Sequence, residues 1–199
     1  MENIELIDKL NHNGELDFNE FKQLLSTYNQ IDFDYAKELA AKITKQIFGN
    51  KIYIRGLIEI SSYCKNDCYY CGLRRSNSKA IRYRLSKEEI LLSCKEGYKL
   101  GFRTFVLQGG EDLYYQDEMM VDIIKSIKQL YPDCAITLSL GEKNKGTYQK
   151  YYDAGADRYL LRHETYNEDH YYMLHPQEMS FKQRIECLHH LKEIGFQTG

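Results

Sequence analysis

The sequence lacks the features that mark membrane, secreted and nucleic-acid-binding proteins. No apolar run approaches the roughly 20 residues that a membrane-spanning helix needs. The formal net charge is −2, so no excess of one sign steers the chain toward nucleic acid or an anionic membrane. The N-terminal stretch MENIELIDKLNHNGELD is acidic and amphipathic, unlike a signal peptide. Only two prolines occur, and we detect no repeat or low-complexity segment.

The cysteines lack the even distribution of a disulfide framework. Six occur in 199 residues, three clustered and three scattered, and no export signal accompanies them. We therefore expect a cytoplasmic protein with reduced thiols. Apolar residues make up 43% and charged residues 28% of the chain, the balance of a soluble globular domain with a real core.

The pattern of apolar residues changes at about residue 50. Residues 1–50 predict helices only, with Asp17 and Glu20 in capping-box spacing and a last helix that stops at Gly49. Residues 51–199 alternate β-rich runs with amphipathic helices four times, which predicts parallel βα units. We expect an α/β fold, either a TIM-like barrel or an open sheet. Because the chain stops as a fifth strand begins, we expect a truncated barrel of about four βα units.

Polar residues and glycines cluster where each of the four predicted strands ends. The stretch SSYCKNDCYYCGLRR follows the first strand, and Gly109, Gly110 and Glu111 follow the second. Residues 139–142 lie at the end of the third strand, and Arg162 and Glu164 at the end of the fourth. Since the carboxyl ends of parallel strands meet on one side of the sheet, these groups predict one shared site.

The first of these groups holds three thiols within eight residues, Cys64, Cys68 and Cys71. Three thiolates can ligate a [4Fe–4S] cube and leave one iron free to bind a small molecule. A structural zinc site is the alternative, but it requires a fourth ligand, and no second C-x2-C or H-x3-H pair occurs in the sequence. The scattered cysteines are predicted to be small core residues: Cys94, Cys134 and Cys187.

The fourth predicted strand, DRYLLRHE, carries charge on one face. Alternation places Arg158, Arg162 and Glu164 together, opposite Tyr159, Leu161 and His163. Inward charges are costly without partners, so the two arginines predict an anionic substrate. Thr137 and Ser139 share a face of the third strand and are predicted to line the same cavity. An ion pair between Arg162 and Glu164 is the structural alternative.

Residues 9–20 have the spacing of an EF-hand calcium loop. Lys9, however, stands at the first position, where calcium needs an oxygen ligand. Because a cation there opposes calcium, we interpret the stretch as a turn followed by a capped helix.

Taken together, these motifs resemble one enzyme superfamily. The spacing C-x3-C-x-Y-C after the first strand matches the radical SAM signature, and LQGGED matches its Gly-Gly-Glu element. The stretches TLSLGE, AGADRYLLRHET and MSFKQRIECLHHLKEIGFQTG resemble the HydE-type maturases of [FeFe]-hydrogenase within that superfamily. The resemblance runs from about residue 51 to the end and implies a TIM-like (βα) barrel.

The resemblance implies two cofactors, a [4Fe–4S] cluster and S-adenosylmethionine. The cluster would be ligated by Cys64, Cys68 and Cys71. The Tyr70 backbone would lie near the adenine of S-adenosylmethionine, and Gly109, Gly110 and Glu111 would lie along its methionyl group. Glu164 would bind its ribose hydroxyls, and Arg184 would pair with its carboxylate. A carboxylate accepts two hydroxyl donors, and arginine matches a carboxylate bidentately. The structural alternatives are a helix cap for Glu111 and a solvated position for Arg184.

The resemblance also implies a reaction. S-adenosylmethionine would be cleaved reductively to methionine and a 5′-deoxyadenosyl radical, in assembly of the diiron subcluster of [FeFe]-hydrogenase. The implied partners are a small-molecule or organometallic substrate, flavodoxin or ferredoxin as electron donor, and other hydrogenase maturation proteins. Alternatives are a methylornithine synthase, a biotin synthase-like enzyme, or, in another class, a non-catalytic iron–sulfur or zinc-binding module.

Overall fold

A computed structural model of the chain describes residues 2–199. The chain divides into two compact units, Met1–Tyr53 and Ile54–Gly199. The first unit contains the helices α1 (Asn3–Asn13), α2 (Phe18–Thr27) and α3 (Gln30–Phe48). The second unit contains β1 (Gly56–Ser61), α4 (Lys87–Lys99), β2 (Thr104–Gly109), α5 (Asp117–Leu130), β3 (Ala135–Ser139), α6 (Lys145–Asp153), β4 (Arg158–Tyr159), α7 (Glu168–Leu174), α8 (Phe181–Ile194) and β5 (Gln197–Thr198).

In the first unit, the stretch with EF-hand spacing folds as a turn and a capped helix. The Asp17 carboxylate accepts from the backbone N–H of Glu20 at 2.9 Å, and the Glu20 carboxylate accepts from the backbone N–H of Asp17 at 3.0 Å. The predicted capping box is therefore confirmed. Lys9 forms an ion pair with the same Glu20 carboxylate, which is thus held by two donors.

The second unit is built on a parallel sheet with strand order β1-β2-β3-β4-β5. Each strand lies beside the next one in the chain, and a helix covers every crossover. This topology is that of a TIM-like barrel wall, so the predicted α/β fold with a partial barrel is confirmed. Within residues 2–199, no helix is long and apolar enough to cross a membrane.

The core lies between the sheet and the helices. Alternate residues of the strands are buried on the helix side: Ile58, Ile60, Phe105, Leu107, Ile136, Leu138, Tyr159 and Leu161. Helix α5 contributes a fully buried stripe at helical spacing: Met120, Ile123, Ile124 and Ile127. The three scattered cysteines are also buried here, which confirms their interpretation as core residues: Cys94, Cys134 and Cys187.

Two predicted strands are shorter than expected, and one helix was missed. The first β-rich run, which begins at residue 51 in the sequence, pairs only from Gly56, opposite Phe105 of β2. The run 157–164 forms ladder pairs only at Arg158 and Tyr159. Beyond Leu161 the chain leaves the sheet, so alternation cannot be extended to residues 162–164. Helix α7 was not predicted from the sequence.

Asp112 fixes the loop between β2 and α5 against the end of β1. Its carboxylate accepts two bonds from Arg84, at 2.7 and 3.0 Å, and one from the Ser61 hydroxyl at 2.6 Å. The backbone N–H of Tyr114 adds a bond at 3.0 Å. Burial opposes ionisation of Asp112, but the bonds from Arg84 and Ser61 outweigh it and hold its pKa below the usual range.

We predict that Asp112→Asn lowers the free energy of unfolding by about 2 kcal/mol at pH 7, because the buried side chain loses the charge that accepts from Arg84 and Ser61. The control is Asp122→Asn, an exposed partner of Lys87, which should cost under about 0.5 kcal/mol. Urea unfolding measures both. Since the pKa is lowered on folding, the Asp112 contribution is present above pH of about 4 and lost below it. Wild type and variant should therefore converge in acid, and a difference that grows there would contradict this.

Candidate functional site

A cavity gathers most of the predicted site residues at the carboxyl ends of the strands. Of the predicted residues, those that line it are Cys64, Cys68, Tyr70, Cys71, Gly109, Gly110, Glu111, Ser139, Arg162, Glu164 and Arg184. The wall also includes Glu59 and Gln108, which the sequence analysis did not consider. Elements far apart in sequence thus meet at one place, as expected for the ends of parallel strands.

Two predicted substrate contacts, Thr137 and Arg158, are not part of this wall. The register pairs Thr137 with Arg158, one row below the row that holds Gln108 and Ser139. Thr137 is buried, and its hydroxyl has no hydrogen-bond partner within the described chain. The Arg158 guanidinium donates to the side-chain oxygen of Gln197 on β5. Their role as substrate contacts stays a prediction.

The cysteine loop is held in shape mainly by Arg82. Its guanidinium donates to four backbone carbonyls, those of Ser62, Leu73, Arg74 and Asn77. A planar group with five N–H donors suits this task, because it satisfies several carbonyls of a loop without regular structure. The loop therefore has a defined path without a sheet or helix of its own.

Gly110 allows the cysteine loop to cross the end of β2 at close range. A Cβ atom at this position would lie 2.2 Å from the carbonyl oxygen of Tyr63 and 2.6 Å from the Cβ of Cys64. Any other residue would push the first cysteine away from β2. The close contact with the cysteine loop is therefore enough to require glycine at position 110, whether or not S-adenosylmethionine binds beside it.

The three clustered thiols fit a cluster better than a single ion. All are free and partly exposed at the cavity. Burial, with Cys64 and Cys71 nearby, raises the pKa of the Cys68 thiol to about 11, so this thiol is protonated at neutral pH when no metal is bound. Within residues 2–199, no three His, Cys, Asp or Glu converge on one ion. In a cube each cysteine binds a different iron, so convergence on one point is not required.

Arg184, on the first turn of α8, is the centre of a buried ion network. Its guanidinium lies 3.4 Å from Glu111 and 2.6 Å from Glu142, and it donates to the carbonyl of Arg162 at 3.1 Å. Lys65, in the cysteine loop, approaches the other Glu111 oxygen at 3.2 Å. Two cations therefore balance two carboxylates, and the network joins the ends of four strands. Arg184 is buried, so its predicted alternative as a solvated helix residue is wrong.

Glu111 and Glu142 follow their strands in the same way, each after a glycine. Gly141 has φ of +73°, and a Cβ there would lie 1.9 Å from the Cγ of Glu111. A side chain at this position would therefore displace Glu111. Burial raises the pKa of Glu142 despite the adjacent Arg184, so this carboxyl depends on that guanidinium to stay ionised.

Glu164 is held at the cavity by an unusual backbone. It is the one non-glycine residue with positive φ in the described chain, at +63°. Such a conformation costs about 1 kcal/mol or more and is typical of functional positions. Its carboxylate accepts from the Tyr70 hydroxyl at 3.2 Å, which links the fourth strand end to the cysteine loop. No ion pair joins Glu164 to Arg162 within the described residues.

Sequence reasoning gave no role to Lys65, Arg82, Glu142 or His175. Glu142 had a usable signal, because LSLGE repeats the Gly–Glu ending of LQGGE on the neighbouring strand. Arg82 and His175 had none, since their partners are backbone carbonyls and a tyrosine brought close only by folding.

The chain resembles curated proteins along nearly all of its length. It is 42% identical over 195 residues to the [FeFe] hydrogenase maturase subunit HydE of Thermotoga maritima, covering 98% of this chain and 55% of that protein. It is 31% identical over 191 residues to the 3-methylornithine synthase of Methanosarcina acetivorans, covering 95% and 54%. The chain thus spans about half the length of these relatives.

Solved structures show the same similarity in three dimensions. The crystal structure of methylornithine synthase (PylB) matches with a TM-score of 0.83 and 30% identity, over 97% of this chain and 57% of that one. The structure of HydG, a maturase of the [FeFe]-hydrogenase, matches with a TM-score of 0.85 and 26% identity, over 97% and 44%.

The family model covers the unit that contains the site. The Radical SAM superfamily model matches residues 58–199, from β1 through the cysteine loop to β5. The match includes every residue that we find at the cavity. The chain therefore belongs to the radical SAM superfamily.

Proposed function

We propose that this protein cleaves S-adenosylmethionine reductively and acts in building the diiron subcluster of [FeFe]-hydrogenase. The observation that carries the first part is the cavity in which the three clustered thiols meet Glu111, Glu164 and Arg184. The second part rests on the higher identity to HydE than to 3-methylornithine synthase. Members of the superfamily use a [4Fe–4S] cluster and S-adenosylmethionine.

The thiolates of Cys64, Cys68 and Cys71 would hold the cluster at the mouth of the cavity. When bound and reduced, the cluster supplies the electron that splits S-adenosylmethionine into methionine and a 5′-deoxyadenosyl radical. The protein's own part is to bind and orient the ligand and to keep water from the reacting atoms. The carboxylate of Glu164 offers two acceptor oxygens to a ribose diol, and Tyr70 borders the adenine position.

Arg184 would bind the ligand carboxylate as a shared cation. It already contacts Glu111 and Glu142, so an added carboxylate meets a guanidinium with two partners. Lys65 supplies the second positive charge of the network, at 3.2 Å from Glu111. This balance allows the ammonium and carboxylate groups of the methionyl moiety to bind next to groups of opposite charge.

The substrate would lie above the row formed by Glu59, Gln108 and Ser139. Gln108 donates to the Glu59 carboxylate at 3.3 Å, and the register places Ser139 beside Gln108. Arg162 is an exposed residue that lines the same cavity, and its guanidinium has no side-chain partner among residues 2–199. An unpaired guanidinium favours an anionic group on the substrate. The electron donor would be a flavodoxin or ferredoxin in a reducing cytoplasm.

We predict that Cys64→Ser, Cys68→Ser or Cys71→Ser prevents assembly of the cluster. Anaerobic reconstitution should give about four irons per wild-type chain and far fewer in each variant, because a hydroxyl does not replace a thiolate ligand. Cys134→Ala is the matched control, since this thiol is buried in the core away from the cavity. Iron and sulfide content are measured. Full iron content in all three variants, or zinc in the place of iron, would contradict the proposal.

We predict that Glu164→Gln weakens binding of S-adenosylhomocysteine about tenfold, since a charged acceptor for the ribose hydroxyls is lost. Titration calorimetry on the cluster-loaded protein measures the affinity. Glu168→Gln, an exposed carboxylate at the start of α7, is the control and should bind as wild type does. Equal loss in both variants would point to a general charge effect and against a ribose contact.

The specific role in hydrogenase assembly needs a test of its own. We expect the reconstituted protein to restore hydrogen evolution in a cell-free [FeFe]-hydrogenase maturation mixture from which the HydE-type maturase is omitted. The parallel assay supplies L-lysine, S-adenosylmethionine and dithionite and looks for methylornithine by mass spectrometry. Methylornithine without restored hydrogenase would overturn the hydrogenase proposal and leave the radical chemistry intact.

A further inference from the structure

The connection between β4 and α8 packs against the cysteine loop, a contact that no sequence motif indicated. The carbonyl of Leu174, the last residue of α7, accepts from the backbone N–H of Tyr69 at 2.9 Å. The sulfur of Met179 lies 3.7 Å from the Cys68 thiol. This segment therefore packs directly on the cysteine loop, on the side that carries Tyr70.

His175 is a buried residue of this connection, next to α7. Only 2% of its surface is exposed, and its ring stacks on Tyr171 with centroids 4.0 Å apart. Its Nδ1 lies 2.9 Å from the carbonyl of Tyr171. A carbonyl only accepts, so Nδ1 carries the proton and Nε2 of the neutral ring is left as an acceptor. Burial lowers the pKa of His175, which agrees with a neutral ring.

The free acceptor of His175 faces Tyr70. Nε2 lies 3.4 Å from the Tyr70 hydroxyl, and the two rings meet edge to face at 5.5 Å. The same hydroxyl lies 3.2 Å from the Glu164 carboxylate. The single proton of the Tyr70 hydroxyl thus has two acceptors, one on each side. This forms a chain of three side chains from the protein interior to the cavity.

The inner end of this chain is fixed before a ligand arrives. His175 is held by its stack and by the Tyr171 carbonyl, whereas the exposed Glu164 carboxylate accepts from the Tyr70 hydroxyl. Tyr70 is the exposed link between them. When ribose hydroxyls donate to Glu164, the Tyr70 proton can turn to His175 and the phenol stays hydrogen-bonded. The Tyr70 hydroxyl therefore has a partner in both the free and the bound state.

We propose that His175 is a positioning residue for the nucleoside part of S-adenosylmethionine. It accepts the Tyr70 hydroxyl proton when Glu164 receives the ribose hydroxyls, so the Tyr70 side chain keeps its position beside the ribose site. The inference rests on the proposed function, because it takes Glu164 as the ribose acceptor. His175 touches neither the ligand nor the cluster ligands, so its effect passes through Tyr70.

The test is a double-mutant cycle on binding of S-adenosylhomocysteine to the cluster-loaded protein. We expect His175→Phe and Tyr70→Phe each to weaken binding roughly 5- to 10-fold, the size of one lost hydrogen bond. In the Tyr70→Phe background, His175→Phe should weaken binding further by less than about twofold, because His175 acts only through the Tyr70 hydroxyl, which is already absent. Phenylalanine keeps the stack on Tyr171, whose carbonyl still accepts the backbone N–H of residue 175.

Tyr69→Phe is the matched control, because this neighbouring tyrosine is exposed and its hydroxyl makes no hydrogen bond among residues 2–199. It should bind as wild type does. His175→Gln, which keeps an acceptor, should recover most of the affinity lost in His175→Phe.

Three outcomes would overturn the inference. One is unchanged binding in His175→Phe, and the second is a full additional loss in the Tyr70→Phe background, as expected for a purely structural role. The third is unchanged binding in Tyr70→Phe, which decides the matter if His175→Phe fails to fold by circular dichroism. Failure of the wild type itself to bind S-adenosylhomocysteine would instead contradict the proposed function.

Discussion

The candidate site depends on a single buried guanidinium that ties four strand ends together. Arg184 contacts Glu111 after β2, Glu142 after β3 and the backbone after β4, while Lys65 brings in the loop after β1. A buried charge is costly alone, and removing one partner of such a network costs several kcal/mol. The loops of a parallel sheet have no regular hydrogen bonds to hold them, so this network sets their positions relative to one another.

The same constraint explains why the cysteine loop can be irregular and still precise. Its inner path is fixed by Arg82 on backbone carbonyls, and its contact with β2 is fixed by the absence of a side chain at Gly110. A loop that binds a cluster as proposed must place three thiolates and leave one iron without a protein ligand. The hydrogen bonds from Arg82 and the close contact at Gly110 position the loop without filling the cavity.

The sequence predicted the frame of this molecule well because the frame follows from local patterns. The stripe of α5, the capping box at Asp17 and the burial of Tyr159 and Leu161 all follow from periodicity and cap chemistry. Patterns of alternation failed after Leu161, where the chain leaves the sheet and only tertiary contacts decide which way a side chain faces.

The sequence identified most residues of the site, but it did not show which of them contact one another. Motifs brought most of the cavity residues to notice, since glycines and charges at strand ends are visible in sequence. The contact partners of these residues could not be predicted from the sequence, because folding brings them together from distant positions. Glu142 and Arg184 are 42 positions apart, and Tyr70 and His175 are 105 positions apart. The bond from Arg158 to Gln197 on β5 was not foreseen for the same reason.

The most direct test of the account is electron paramagnetic resonance of the anaerobically reconstituted, dithionite-reduced protein, with and without S-adenosylmethionine. Three cysteine ligands leave one iron open, so the account predicts a [4Fe–4S]⁺ signal that changes on addition of S-adenosylmethionine. A cluster signal indifferent to S-adenosylmethionine, or no cluster at all, would contradict it.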